Sequence, residues 1–272
     1  MRTFYLPAFL AALLPFSLLQ NNMPDINKRK ENLQRQIQAE NETLRALRSS
    51  MTVTLQSLEQ AQLEKYESGF IKGCDDWQSS ELAALLKSSS GWKLPVNGVI
   101  SAGTWSYPDG GLHLGMDLAA GMHSKVYAPA NAIVLYANAP CEDNEGYLGN
   151  LEGWPLGGGN TIALLCAVKG RLYGVTFCHL SSTLYVQAGM SVLQGDIIAL
   201  SGNSGNSTGP HTHIEVFELY ADAQEILDTF KEYPDFQFGT GWDTPGACSV
   251  QACKVRPETI FFSSEDLEEM EE

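Results

Sequence analysis

Thr161-Ile-Ala-Leu-Leu-Cys-Ala-Val168, Lys169-Gly170, then Arg171-Leu-Tyr-Gly-Val-Thr-Phe177 is the stretch that decides the fold. Two runs rich in β-formers flank a Lys-Gly pair, the pattern of strand, turn, strand over Thr161–Val168 and Leu172–Phe177. Working outward, Val126–Ala128 and Ala132–Tyr136 precede this hairpin, while Asp196–Leu200 and His213–Phe217 follow it. Pro129-Ala130-Asn131 and Gln194-Gly195 supply turns between them. From Trp92 onward no helical period survives, so residues 92–219 are expected to form a mainly β domain. Glu142 to Gly159 is a long loop rich in glycine and acidic residues, of the length that often carries function.

Upstream the pattern changes. Asp25 to Glu67 holds neither Gly nor Pro, and Leu33, Ile37, Leu44, Leu47, Met51, Leu55 and Leu58 recur at steps of four, seven, three, four, four and three. That is a narrow coiled-coil seam with one break in its heptads, and it needs a partner helix or self-association to cover it. Gly69 and Gly73 are placed to end this helix, Trp77 to Lys87 reads as a short amphipathic helix, and Ser88 to Gly91 as a linker. Ahead of the seam, Met1-Arg2 precedes an uncharged, mostly apolar stretch from Thr3 to Leu19. It has the shape of a secretory signal and is slightly short for a membrane span. No small-x-small cleavage site follows, and Lys28-Arg29-Lys30 puts positive charge behind it, which opposes export of what comes after. A cleaved signal, an uncleaved membrane anchor and a buried core helix are the three readings, with export by either of the first two favoured.

Past the β domain, Ala221 to Lys231 is expected to be a flanking helix. The chain then divides into a signal-like or anchor segment (1–22), a coiled coil (23–68), a short helix and linker (69–91) and the β domain (92–219). A C-terminal extension packing on the domain (220–262) and a solvated acidic tail (263–272) complete it. The 272 residues include 17 Lys and Arg against 32 Asp and Glu, a net charge of −15. So acidic a surface repels phosphate backbones, which excludes nucleic acid as the expected partner. The six cysteines show no C-x-x-C spacing, against a zinc ribbon or thioredoxin-like motif. Cys248 and Cys253, after Pro245-Gly246, are the pair expected to close a small loop, whereas Cys166 and Cys178 sit in apolar strands as buried thiols would.

The chemistry lies in the histidines, of which there are five. His113-Leu-Gly-Met-Asp117 spaces an imidazole and a carboxylate four apart; on a strand, positions 113, 115 and 117 share a face, with Gly115 leaving room for an ion. His211-Thr-His213 puts two imidazoles on one face of an extended segment and turns Thr212, Ile214 and Val216 into the core. Two histidines and one carboxylate with an open fourth position suit catalytic zinc. Each spacing alone is weak evidence; together in one β domain, with His179 at a third strand, they point to a metal site. His123 falls outside it. The glycine-rich run before His211 lacks the Gly-Lys-Ser/Thr ending of a phosphate loop.

These residues resemble the lysostaphin-type (LytM-like) zinc metalloendopeptidases, which cut peptides in bacterial cell walls. The matching segments are Pro95-Val-Asn-Gly98, His113-Leu-Gly-Met-Asp117-Leu-Ala, Val126-Tyr-Ala128, Gly159-Asn-Thr161, His179-Leu-Ser181 and Gly195-Asp196. Gly202-Asn-Ser-Gly-Asn-Ser-Thr-Gly-Pro-His211-Thr-His213-Ile-Glu215 is the most specific of them. The resemblance covers about 92–219 and implies a compact antiparallel β-sheet domain. It implies zinc on His113, Asp117 and His213, with His179 and His211 as catalytic partners and peptidoglycan peptides as substrate. Tyr107 either adds a hydroxyl beside the site or is an ordinary loop residue. The loop at 139–158 and the stretch holding Cys248 and Cys253 depart from a minimal domain of this kind, so the bond cleaved does not carry over. A non-catalytic activator or scaffold for other wall hydrolases is the alternative; it would have no need of the ligand set.

Overall fold

A hairpin of two long strands, β5 (Asn160–Val168) and β6 (Arg171–Leu184), forms the middle of the sheet, turned by Lys169 and Gly170 with φ of 50° and 77°. The computed structural model describes residues 65–70, 78–263 and 265–267, with a scatter of positions between 28 and 46. Those early positions are helical and Leu33 is exposed. The other seam positions of the expected coiled coil, the apolar N-terminal stretch, Cys74 and most of the acidic tail lie outside the described residues. Among the described residues, no helix is long and apolar enough to cross a membrane.

Among the described residues of 59–272 every strand pairs antiparallel, as expected. Around β5 and β6 the sheet order runs β1 (Val99–Ala102), β2 (Met116–Ala119), β9 (His211–Leu219), β6, β5, β4 (Asn131–Asn138) and β7 (Ser191–Val192). Two further strands, β3 (Lys125–Tyr127) and β8 (Ile197–Ser201), pair with each other, and β8 reaches β6. From the C-terminal extension comes β10 (Ala252–Val255), paired to β9, so the extension adds a strand to the sheet as well as packing on it. The strands β1 and β10 had no clear signal in the sequence, being four residues each and flanked by irregular loops.

The sheet has an apolar core on each face, which explains why β5 is buried at all nine positions and lacks an alternating pattern. Ile162, Leu164 and Cys166 of β5 join Ile214 and Val216 of β9 in one core. Ala163 and Leu165 join Phe217 and Leu219 in the other. Three short helices flank the sheet: α1 (Ser79–Leu85), α2 (Ala223–Glu232) and α3 (Pro257–Phe261). The second is capped by Asp222, whose carboxylate accepts from Glu225 N–H at 2.9 Å, and lays Ile226, Leu227 and Phe230 on the second core. Phe236, from the extension, lies in the middle of an aromatic cluster with Phe70, Tyr136, Trp154 and Phe230, at ring separations of 5.3–6.2 Å. Replacing it by alanine is expected to cost about 3–5 kcal/mol, seen as a lowered urea midpoint with unchanged slope. The Cys248–Cys253 disulfide is present, and Cys141, Cys166 and Cys178 are buried free thiols.

Candidate metal centre and its cleft

Strand register builds the site. Asp117 of β2 lies directly opposite His213 of β9, and Cys178 of β6 lies opposite His213 on the other side, which puts His179 beside the pair. Along β9, His211, His213 and Glu215 share a face, while Thr212, Ile214 and Val216 turn away and are buried, as the alternation predicts. His113 corrects the expectation that it lies on a strand with Asp117. It belongs to the loop before β2, and its carbonyl accepts from Trp105 N–H at 2.6 Å instead of joining a ladder. Gly115 is also needed for a different reason than expected. A Cβ there would press on the Ile214 carbonyl and come within 2.7 Å of the His213 ring, so its missing side chain makes room for that imidazole.

Three donor atoms meet. His113 Nε2 lies 3.1 Å from Asp117 Oδ1 and 3.0 Å from His213 Nδ1, and His213 Nδ1 lies 2.9 Å from Asp117 Oδ1. Each imidazole directs its other nitrogen elsewhere. His113 Nδ1–H donates to Gly103 O at 2.7 Å, and His213 Nε2–H donates to Glu215 Oε1 at 3.2 Å. Those acceptors fix the tautomers and orient the remaining ring nitrogens inward, as acceptors behind metal ligands do. Ligand atoms on one zinc at about 2.0–2.2 Å stand about 3.3 Å apart. The donor set and its spacing therefore fit a small cation of the zinc type. Among the described residues, these three form the group able to hold one.

The two other histidines face the same point. His179 sits in β6 with φ of 62°, at a bulge where the β5 register slips, and this left-handed backbone swings its ring towards β9. Its Nδ1–H donates to Ser204 O at 2.7 Å, and its backbone N–H to Gly158 O at 2.8 Å. His211 Nδ1–H donates to Gly209 O at 2.8 Å, and its Nε2 is 3.6 Å from Asp117 Oδ1. The His179 and His211 rings stand 4.8 Å apart. With Nδ1 engaged, each ring has Nε2 as its remaining nitrogen, and that of His211 lies towards Asp117. His123, by contrast, bonds Asp143 at 2.6 Å and is half exposed, outside the site as expected.

Burial and neighbouring charge divide the group. Burial pushes His179 down to about 3, aided by His211 and His213, and burial likewise lowers His211. Burial would lower His213 too, but its bonds to Asp117 and Glu215 win and push it up to about 10. Burial raises Asp117, yet the hydrogen bonds from His113 and His213 hold it far below the carboxylate range. In the metal-free chain a proton thus sits on His213 between two carboxylates; a cation takes that proton's place. Glu215 is raised by burial and lowered by more through His213, the Gln237 amide and the Lys254 charge.

The centre opens into a cleft of about 190 Å³ walled by Tyr107 and Leu112 on one side and by Pro155–Gly158 on another. Tyr107 stacks on the His113 ring at 4.1 Å, and burial, then the Asp117 charge, pushes its hydroxyl up to about 12. Trp242 of the extension also lines the cleft. Neither Trp242 nor Gln237 had any signal in the sequence, because each reaches the site through irregular chain. Glu215 did have one, since it continues the alternation of His211 and His213. Buried Asn160 ties the loop to the strands: its amide donates to Cys141 O and Leu180 O, and its oxygen accepts from Cys141 N–H. Gly115→Ala is expected to cost about 1–3 kcal/mol and to lower zinc affinity although every ligand remains, which a thermal melt and a zinc titration will read.

A His, Asp, His cluster with two further imidazoles beside it is a constellation able to hold a catalytic metal. Residues 111–226 match the sequence model of Peptidase family M23, and the matched stretch contains all five site residues. The matched stretch runs from the loop before β2 into the first turn of α2. An uncharacterized metalloprotease of Haemophilus influenzae is 36% identical over 103 residues, 38% of this chain and 18% of the relative. The peptidoglycan DD-endopeptidase ShyA of Vibrio cholerae is 32% identical over 104 residues, 38% of this chain and 20% of the relative. The aligned part thus spans about a fifth of the length of these curated relatives. The catalytic domain of the antimicrobial peptidase lysostaphin from Staphylococcus simulans is 25% identical, covering 56% of this chain and 99% of that one, with a TM-score of 0.30.

Proposed function

We propose that this protein is an exported zinc endopeptidase that hydrolyses peptide bonds in peptidoglycan stem peptides or cross-bridges. The observation that carries the reading is the convergence of His113 Nε2, Asp117 Oδ1 and His213 Nδ1, each held by a second partner or by register, with two more lone-pair imidazoles beside them. Zinc held there supplies a Lewis acid that polarises a carbonyl and acidifies water. His113, Asp117 and His213 are its ligands. His179 and His211, neutral and anchored through Nδ1, act on the reacting atoms: one takes the proton of the attacking water, the other steadies the oxyanion or protonates the leaving amine. Tyr107 has its hydroxyl protonated and its ring against His113, where it can donate to the same oxyanion.

In this reading, the N-terminal segment exports or anchors the chain, and residues 23–68 act as a coiled-coil spacer that pairs with a partner helix or with a second copy. The activator alternative has no use for a convergent ligand set, and here none of the five positions is replaced. The test is digestion of purified peptidoglycan by the full chain. New amine ends form with zinc, stop with a chelator and return when zinc is restored; a digest whose amine count never rises rejects the enzyme in favour of a wall-binding activator.

A further inference from the structure

Glu215 stands where the site meets the core beneath the C-terminal extension, with His213 and Phe217 as its neighbours on the same face of β9. Its Oε1 accepts from His213 Nε2–H at 3.2 Å, and its Oε2 accepts from Gln237 Nε2–H at 2.8 Å. Gln237 is only 2% exposed and is held from both sides by Phe236 and Phe238. Asp235 pins this turn, accepting from Gln237 N–H at 2.8 Å and Gly239 N–H at 2.7 Å. The Phe238 ring occupies the space that Gly174 of β6 leaves open, since a Cβ there would run into the ring. The amide is therefore fixed by its backbone, and its donor end faces a carboxylate.

Its other end has nothing. Gln237 Oε1 is buried and has no hydrogen-bond partner among the described residues. A buried amide with an unmet acceptor costs stability, and an apolar side chain of equal length would fill the space without that cost. The fold alone gives no account of a glutamine here. The bond to Glu215 does.

We infer that Gln237 is a positioning residue of the metal site: it locks the Glu215 carboxylate, which in turn locks the ring and tautomer of His213 so that Nδ1 faces the cation. The inference rests on the zinc reading above. It makes the extension part of the metal centre although Gln237 touches no ligand. Without the amide, Glu215 is free to turn away from His213, and the imidazole loses its fixed orientation.

The test measures zinc affinity of the full chain, by competition with a chromophoric chelator, together with the melting temperature of the metal-free form. Wild type, Gln237→Met, Glu215→Ala and the double variant are compared. Gln237→Met is expected to weaken zinc binding about 10–100-fold while the metal-free melting temperature stays the same or rises. In the Glu215→Ala background the same substitution changes affinity by about twofold or less, because the coupling runs through that carboxylate. Gln237→Leu is the second variant, read the same way should the methionine chain misfold. Unaltered zinc affinity in a folded Gln237 variant, or an equal loss with and without Glu215, overturns the inference and leaves the enzyme standing. A wild-type chain that takes up no zinc overturns both.

Discussion

On the proposed reading, His213→Ala is expected to leave a chain that holds no stoichiometric zinc and cleaves peptidoglycan peptides at least about 10³-fold more slowly, a loss that even a single oxyanion donor can approach. The size follows from where His213 sits. Its Nδ1 is one of three converging donors, and its Nε2–H holds Glu215, so one substitution removes a donor and takes one partner from each of two buried carboxylates. Buried charge that loses a partner is costly, so the melting temperature is expected to fall as well. His113→Ala serves as the companion, because it removes one of the three donors while Asp117 and Glu215 keep their His213 partner. Zinc is measured by elemental analysis and cleavage by amine release. A folded His213→Ala or His113→Ala chain that retains full zinc and rate shows that the chemistry lies elsewhere.

His179→Asn is expected to separate binding from catalysis. The zinc content stays at the wild-type level, since His179 is absent from the converging triad, while the rate drops about 10²–10⁴-fold, the range of a lost general acid or base. Asparagine is the right replacement because His179 has φ of 62°, a region that asparagine tolerates better than alanine does. The variant thus keeps the bulge and loses the ring. Loss of zinc together with rate would instead make His179 a ligand. Wild-type turnover would remove it from the reaction.

Much of this was legible in the sequence because it rests on local composition and alternation. The hairpin follows from two β-rich runs around Lys169-Gly170, and the face shared by His211 and His213 follows from a period of two that β9 obeys. Asp117 was readable as a partner, but the register that sets it opposite His213 is a long-range fact that no local pattern encodes. His113 was expected on a strand and lies on a loop: its place beside Asp117 and His213 depends on a backbone bond from Trp105 and a ring bond to Gly103. The left-handed His179 was invisible for the same reason, since a bulge is a mismatch between two strands and belongs to neither sequence alone. Gln237 and Trp242 lie in irregular chain beyond the family-like segment, where side-chain direction follows from the tertiary packing of Phe236 and Phe238.

The central claim is that one zinc sits among His113, Asp117 and His213 with an open position towards His179 and His211. An anomalous difference map at the zinc edge, from crystals of the full chain, tests it most directly. The account predicts one peak within about 2.0–2.2 Å of His113 Nε2, His213 Nδ1 and an Asp117 carboxylate oxygen, the distances zinc keeps to nitrogen and oxygen. A zinc-supplemented crystal with no peak at the triad, or with its zinc bound by other residues, contradicts it.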